Sequence, residues 1–234
     1  MRTGIVIQAR FSSRRLPGKV LRPLLGTPLL GWLVERMQAV PAVDEVIVAT
    51  STSADDDPVA DCARRFGAAV HRGPLDDVLG RFVGAAEAFA LDRLVRASGD
   101  SPLLDPALVS RALQLCGDGV DLASNVVERS FPKGQSVEAI AATALRRAAS
   151  HARQPEEREH VTPYFYAHPA EFRIRGFSAA LPAPMLRLCV DTEEDFAAIE
   201  RVARAMTRPQ REYGVDQLAA LMRSVTGGGQ GPAQ

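Results

Sequence analysis

Twelve residues near the start of the chain, QARFSSRRLPGK from Gln8 to Lys19, hold four cations, two hydroxyls and a Pro-Gly turn. Arg10, Arg14, Arg15 and Lys19 supply charge and donors. Ser12 and Ser13 supply hydroxyls, and Pro17-Gly18 can swing Lys19 back towards the residues before the loop. Such a loop leaving a strand suits the phosphates of a small molecule, since guanidinium, ammonium and backbone N–H groups all donate to phosphate oxygens. A solvated basic loop and a nucleic-acid contact are the other readings. A nucleic-acid face spreads its cations and interleaves aromatics. Here Phe11 is the one aromatic in the loop and the whole chain has a formal charge of +0, so no nucleic-acid partner is expected.

Two acidic stretches are the next candidates. In SGDSPLLDP (Ser98 to Pro106), Asp100 follows a strand-like run. A carboxylate there can meet a metal or a ribose, or cap a turn. In CVDTEED (Cys189 to Asp195), Asp191 follows another apolar run, with Thr192 placed to cap a helix. If the two runs are neighbouring strands, Asp100 and Asp191 share a cleft. Two carboxylates plus substrate phosphates are a usual way to hold Mg²⁺. In EREHVTPYFY, Arg158, Glu159 and His160 cluster at a helix start, as a pocket border or as a solvated face. Neither Cys nor His clusters, which argues against a zinc site.

The elements that must position these groups follow from periodicity. GIVIQA is a buried strand. A helix over Thr27 to Val40 has Thr27 as its cap and Pro28 as its first residue. Then come a strand in DEVIVATS, a helix closed by Gly67, a strand in AAVHRG, a helix in LDDVLGRFVGAAEAFA and a strand in DRLVRASGD. A helix capped by Asp105 with Pro106 behind it leads to a strand in VDLASN. Such alternation predicts an α/β fold, a mostly parallel sheet with helices on both faces. Ligands of such sheets bind at the carboxyl ends of the strands, where the basic loop begins. The pattern changes over 126–170, which reads as an inserted segment with two extended pieces about Lys133 and two helices. EFRIRGFS and LRLCVDT read as strands, followed by two helices and a Gly-rich tail. The expectation is one domain over 1–224 and a disordered tail over 225–234.

Composition narrows the class. Hydrophobic residues at 46% and charged residues at 24% suit an ordinary globular domain. Three scattered cysteines and a short N-terminal apolar run argue against a disulfide framework and a signal peptide, and no run is long enough to span a membrane. The expected location is the cytoplasm. Charge is uneven: Met1 to Val34 holds six basic residues and no acid, and only Lys19 and Lys133 of the 28 basic residues are lysine. Either the chain reserves lysine for places that need a compact ammonium, or it merely reflects an arginine-rich composition.

Taken in order, these motifs resemble the cytidylyltransferases that activate acidic sugars, such as the synthetases of CMP-sialic acid and CMP-ketodeoxyoctonate. The resemblance is nearest to the spore coat polysaccharide biosynthesis protein F branch. IVIQARFSSRRLPGK, RGPLDDVLGRF, GDSPLLDP, GQSVEA, REHVTPY and VDTEED run in that branch's order, from Ile5 to about Arg201. The first loop lacks the glycines of hexose-1-phosphate and guanylyl transferases, which by analogy favours cytidine.

The resemblance implies a nucleotide-diphospho-sugar transferase-like fold whose inserted segment serves dimerisation and the acceptor. It implies transfer of CMP from CTP to an acidic sugar or related acceptor with release of pyrophosphate, in surface polysaccharide or glycoconjugate synthesis, by a homodimer. Ala9 and Arg10 would line the nucleotide site, and Ser13, Arg15 and Lys19 would hold the triphosphate. Asp76 and Asp77 would lie near the cytidine or shape its loop. Asp100 and Asp191 would bind Mg²⁺, and Gln135, Glu138, Arg158 and His160 would border the acceptor. Two departures stand out: Ser136 replaces a carboxylate in the family's GLDVE element, which leaves the acceptor open, and Ser101 replaces a cysteine. Two other classes share these features. A glycosyltransferase using nucleotide sugars has an overlapping fold, although Asp100-Ser-Pro lacks the second Asp of a D-x-D motif. A non-catalytic nucleotide-binding protein is the other.

Overall fold

A computed structural model describes residues 1–13, 15–117 and 119–227. The first strand, β1 (Thr3–Gln8), is buried over its first five residues, as its apolar run requires. Next, β2 (Pro23–Leu24) and β3 (Thr27–Pro28) pair antiparallel. Leu25 and Gly26, at φ 48° and 88°, make the tight turn between them. That hairpin moves the start of α1 (Leu29–Gln38): the pairing runs through Pro28, so Pro28, not Thr27, precedes the helix. The alternation continues with β4 (Glu45–Ser51), α2 (Asp57–Arg65), β5 (Ala69–Gly73), α3 (Val78–Ala88), β6 (Arg93–Ser98), α4 (Pro106–Leu115) and β7 (Leu122–Ser124). Asp105 caps α4 through the N–H of Ala107, with Pro106 in the first turn.

The segment expected as an insertion contributes directly to the sheet. Its strand β8 (Glu138–Ala141) lies between β6 and β7, antiparallel to both. Then follow α5 (Ala142–His151), α6 (Pro155–His160), α7 (Pro163–Ala167) and β9 (Ile174–Gly176). Among the described residues the main sheet has the order β5-β4-β1-β6-β8-β7-β9, parallel except at β8. LRLCVDT, expected as a strand, joins no ladder. It makes one parallel bridge, Lys133 with Arg187, and its Val190 N–H donates to the Asp100 carbonyl (2.8 Å). The chain ends in α8 (Glu193–Arg204) and α9 (Val215–Gly227). The last helix therefore runs three residues past the expected end at 224, and the rest of the expected tail lies outside the described residues.

Helices cover both faces. Leu30, Leu33 and Met37 of α1, Val59 and Cys62 of α2, and Val109 and Leu113 of α4 pack on one face with Ile5, Ile7 and Val48. Leu79 and Phe82 of α3, Leu145 of α5 and Phe165 of α7 pack on the other with Val6 and Ile47. A third cluster joins α8 and α9 to Trp32. Arg36, with no exposed surface, ties this last unit to the body by donating to the carbonyls of Leu104, Gln210 and Tyr213. The chain runs from β1 outward through β4 to β5 and returns to β6 on the other side of β1. The crevice for a ligand thus opens where β1 and β6 end.

Candidate active site

At that crevice lies a cleft of about 1370 Å³, lined by the basic loop, the end of β6, the loop before α3 and α6. Arg158, Glu159 and His160, expected at a helix start, lie in the last turn of α6 instead. The basic loop is held from below. The buried carboxylate of Asp56 accepts from the Phe11 N–H (2.6 Å), the Ser51 N–H (3.0 Å) and the Ser51 hydroxyl. Burial alone raises a carboxyl's pKa; these donors overrule it and hold Asp56 below the ordinary value. The loop closes on itself through the Gly18 N–H and the Phe11 carbonyl (2.9 Å). A single 3₁₀ turn, Lys19–Leu21, then aims Lys19 inward.

Lys19 is the centre of the site. Its ammonium donates to Asp100 Oδ2 (3.0 Å), Asp191 Oδ1 (3.0 Å) and the Val190 carbonyl (2.7 Å), which uses all three of its N–H bonds. Asp100 stands two residues beyond β6, with the Ser101 hydroxyl on its other oxygen (3.2 Å). Arg15 reaches Asp191 Oδ1 at 3.0 Å, while Lys133 (3.3 Å) and Arg187 (3.2 Å) reach Oδ2. Burial pushes Asp191 up, but the hydrogen bond and charge of Lys19, then Lys133 and Arg15, hold it far below the ordinary carboxylate range. The same burial, with Asp100 and Asp191 close by, pushes the Cys189 thiol up to about 12.

The backbone around Asp191 is fixed from two sides. Asp195 accepts from the N–H groups of Asp191 (2.9 Å) and Thr192 (3.1 Å), while Thr192 caps α8 in return. On the other side the Lys133 N–H donates to Leu186 (2.8 Å), and the Leu188 N–H donates to Lys133 (2.7 Å). Gly134 allows this approach: at φ 95°, a Cβ there would lie 2.6 Å from the Leu188 backbone.

The opposite wall is built from Asp77 and α6. Asp77 caps α3 through the Gly80 N–H (2.8 Å) and pairs with Arg158. Arg81, 2% exposed, donates to the carbonyls of Pro74 and Leu75 and so shapes the loop that carries Asp76 into the cleft. Arg10 pairs with Glu159 at 3.5 Å across the cleft. His160 borders it beside Val161, a buried β-branched residue at φ 69°, whose turn is closed by the Thr162 N–H and the His160 carbonyl (2.8 Å). A β-branched residue seldom takes that conformation, so the corner is held by the burial of Val161.

Of the thirteen residues singled out from sequence, eleven line this one cleft: Ala9, Arg10, Ser13, Arg15, Lys19, Asp76, Asp77, Asp100, Arg158, His160 and Asp191. Gln135 and Glu138 do not. Gln135 has no exposed surface; its amide accepts from the Asp105 N–H (2.9 Å) and donates to Leu103 (2.8 Å). Glu138, 2% exposed, takes Arg96 (2.7 Å) and the Tyr166 hydroxyl (2.6 Å). Both are internal supports, a correction to their expected place at the acceptor. Ser136, at the departure in the same motif, is exposed. Arg14 lies outside the described residues. Lys133, Arg187, Asp195, Asp56 and Arg81 had no role assigned from sequence. Rarity marked Lys133, and the Thr192-to-Asp195 spacing of a capping box marked Asp195.

A basic strand-end loop facing two carboxylates, at the switch point of a mostly parallel sheet, defines a nucleotidyltransferase with the nucleotide-diphospho-sugar transferase fold. Within that class, the chain belongs to the cytidylyltransferase family, which it matches over residues 4–225. It is 36% identical over 225 residues to the spore coat polysaccharide biosynthesis protein SpsF of Bacillus subtilis, covering 93% of this chain and 92% of that one. The 3-deoxy-manno-octulosonate cytidylyltransferase of Geobacter sulfurreducens is 36% identical over 110 residues, 46% of this chain and 42% of that protein. Among solved structures, a cytidylyltransferase from Leptospira borgpetersenii superposes with a TM-score of 0.92 at 28% identity over 100% of both chains. A CMP:2-keto-3-deoxy-manno-octonic acid synthetase in complex with CTP superposes at 0.70 with 22% identity, covering 87% of this chain and 99% of that one, which shows the shared fold.

Proposed function

We propose that this cytidylyltransferase transfers CMP from CTP to an anionic acceptor, an acidic sugar or a related sugar phosphate or phosphonate, and releases pyrophosphate. The observation that carries this reading is the Lys19 bridge between Asp100 and Asp191 at the mouth of the basic loop. In the proposal, Ala9 borders the nucleotide through its backbone, Arg10 lines its site, and Ser13, Arg15 and Lys19 hold the phosphates. Asp76 and Asp77 shape the base side. The acceptor's negative charge faces the wall of Arg153, Arg158 and His160. Such a transfer depends on in-line positioning and neutralised charge more than on covalent help from the protein.

The oxygens around Lys19 fit a divalent cation. Among the described residues no group of three or more His, Cys, Asp or Glu is placed to hold a metal ion by itself. Two carboxylates and a carbonyl are what Mg²⁺ uses when substrate phosphates and water complete its shell. Asp100 and Asp191 would hold it, and when bound it neutralises charge on the phosphate oxygens.

We place the enzyme in surface polysaccharide or glycoconjugate synthesis, in the cytoplasm, where its three free, buried cysteines suit a reducing medium. Among the described residues no helix is long and apolar enough to cross a membrane. We also propose a homodimer using the face that starts at the exposed Val127; a monomer by light scattering at micromolar concentration refutes it.

The test is a pyrophosphate-release screen with CTP against sugar acids, sugar phosphates and phosphonates. At least one acceptor should give Mg²⁺-dependent release, and Lys19→Ala should lower it by about a hundredfold or more with the fold retained. Asp100→Asn should lose its response to Mg²⁺. Tight CTP binding without release across the panel refutes catalysis, and free nucleoside diphosphate as the product from a nucleotide sugar refutes the reaction type.

A further inference from the structure

We propose that Lys19 is the resident cation of the Asp100–Asp191 pair: it holds both carboxylates in the nucleotide-free enzyme and gives them up only when a triphosphate offers its ammonium new acceptors. Divalent cation and nucleotide then load together, and the cation alone binds weakly. The inference rests on the metal and nucleotide roles proposed above, and it concerns how this chain's own side chain controls them.

The geometry is specific. Lys19 is not merely near the carboxylates. Its ammonium lies 3.0 Å from one oxygen of each and 2.7 Å from the Val190 carbonyl, and its side chain is 11% exposed. A cation entering between those oxygens must replace it. Displaced with nothing to accept its N–H bonds, a nearly buried ammonium is heavily penalised. Triphosphate oxygens in the adjoining cleft remove that penalty, because Lys19 itself lines the cleft. The other cations on Asp191 stand differently. Lys133 and Arg187 hold Oδ2, the oxygen that Lys19 does not use, and Arg15 shares Oδ1 from a side chain that is 61% exposed. None of these three pairs with Asp100. Lys19 alone links the two carboxylates among the described residues.

The main experiment follows Mn²⁺ by electron paramagnetic resonance in a titration of nucleotide-free protein. Lys19→Met should bind one Mn²⁺ about a hundredfold more tightly than the wild type, as removal of a close, shielded charge implies. Arg15→Met removes an exposed charge from the same carboxylate and should change the affinity about fivefold or less. Asp100→Asn in the Lys19→Met background should abolish the gain. A Lys19→Met affinity within about fivefold of wild type, an Arg15→Met gain equal to that of Lys19→Met, or a gain that survives Asp100→Asn overturns the proposal.

A second measurement needs no variant of Lys19. The chain has two lysines, so protein labelled with [ε-¹³C]lysine gives two side-chain signals, and Lys133→Arg assigns them. CTP without metal should shift the Lys19 signal, whereas the same concentration of Mg²⁺ should leave it in place. An equal shift with Mg²⁺ alone overturns the proposal. Calorimetry that finds no CTP binding at all refutes the functional reading, while the Mn²⁺ titration still decides the role of Lys19.

Discussion

Gly134→Ala should damage this protein far more than another left-handed glycine changed in the same way. Gly134 sits at φ 95°, where an L side chain costs about 1 kcal/mol. Its added Cβ would meet backbone, 2.6 Å from the carbon and oxygen of Leu188 and 2.8 Å from the Cys189 nitrogen. Ordinary contact begins at 3.4 Å, so the two segments must part by about 0.8 Å, and no side-chain rotation can relieve it. Parting strains the paired hydrogen bonds of Lys133 with Leu186 and Leu188. Clash and lost bonds add about 2 kcal/mol, for about 3 kcal/mol in all. At this chain length that lowers Tm by about 6–12 °C. Gly26→Ala is the control. Gly26 has a similar φ of 88°, but a Cβ there meets nothing within 4 Å, so only the backbone penalty remains, a fall of about 2–4 °C. Scanning calorimetry of both variants reads the difference. The displaced segment carries Asp191, so Gly134→Ala should also lose turnover at temperatures where it is still folded. A Gly134→Ala midpoint within about 2 °C of Gly26→Ala refutes the packing argument.

Three further outcomes follow from the site. Asp56→Ala leaves the Phe11 and Ser51 donors without their partner, and should cost about 2–4 kcal/mol in urea unfolding and raise KM for CTP; an unchanged KM separates loop anchoring from nucleotide binding. Because the folded state holds Asp191 below its ordinary value, its contribution is complete above pH ~4 and is lost as pH falls further towards the folded value. Urea midpoints of the wild type should therefore drop more steeply below pH ~4 than those of Asp191→Asn, and parallel profiles contradict the coupling. All three cysteines are free and buried, with burial raising each thiol, so an Ellman assay at pH 8 should find none reactive before denaturation and 3 after it; prompt reaction of Cys189 would contradict its environment.

The alternation up to Asn125 was legible because each element carries its own signal. Apolar spacing marks α1, and Asp105-Pro106 marks the start of α4. What was not legible depended on partners distant in sequence. Thr27 fits a helix cap until Pro23–Leu24 pairs with it. EAIA reads as an extended piece, but nothing in four residues says that it slots between β6 and β7 in the reverse direction. LRLCVDT has a strand's composition, yet its backbone is divided between Lys133 and Asp100 rather than laid along one neighbour.

The site shows the same division more sharply. Asp100 and Asp191 stood out because each follows an apolar run and the fold brings such ends together, and Lys19 because it is one of two lysines and closes the basic loop. Gln135 and Glu138 were misplaced because a polar residue beside apolar ones has two meanings, ligand contact or internal support, and only its partners decide. Glu138 has Arg96 and the Tyr166 hydroxyl within 2.7 Å, and burial beside that carboxylate raises the tyrosine's pKa, so the proton stays on the phenol and the network stays closed. Asp191 faces four cations: Lys19 is nearly buried, but Arg15, Lys133 and Arg187 approach from side chains that are 40% or more exposed and can turn away. Burial of the carboxylate, which both share, therefore does not separate Glu138 from Asp191; what separates them is that three of the four cations facing Asp191 are exposed enough to move.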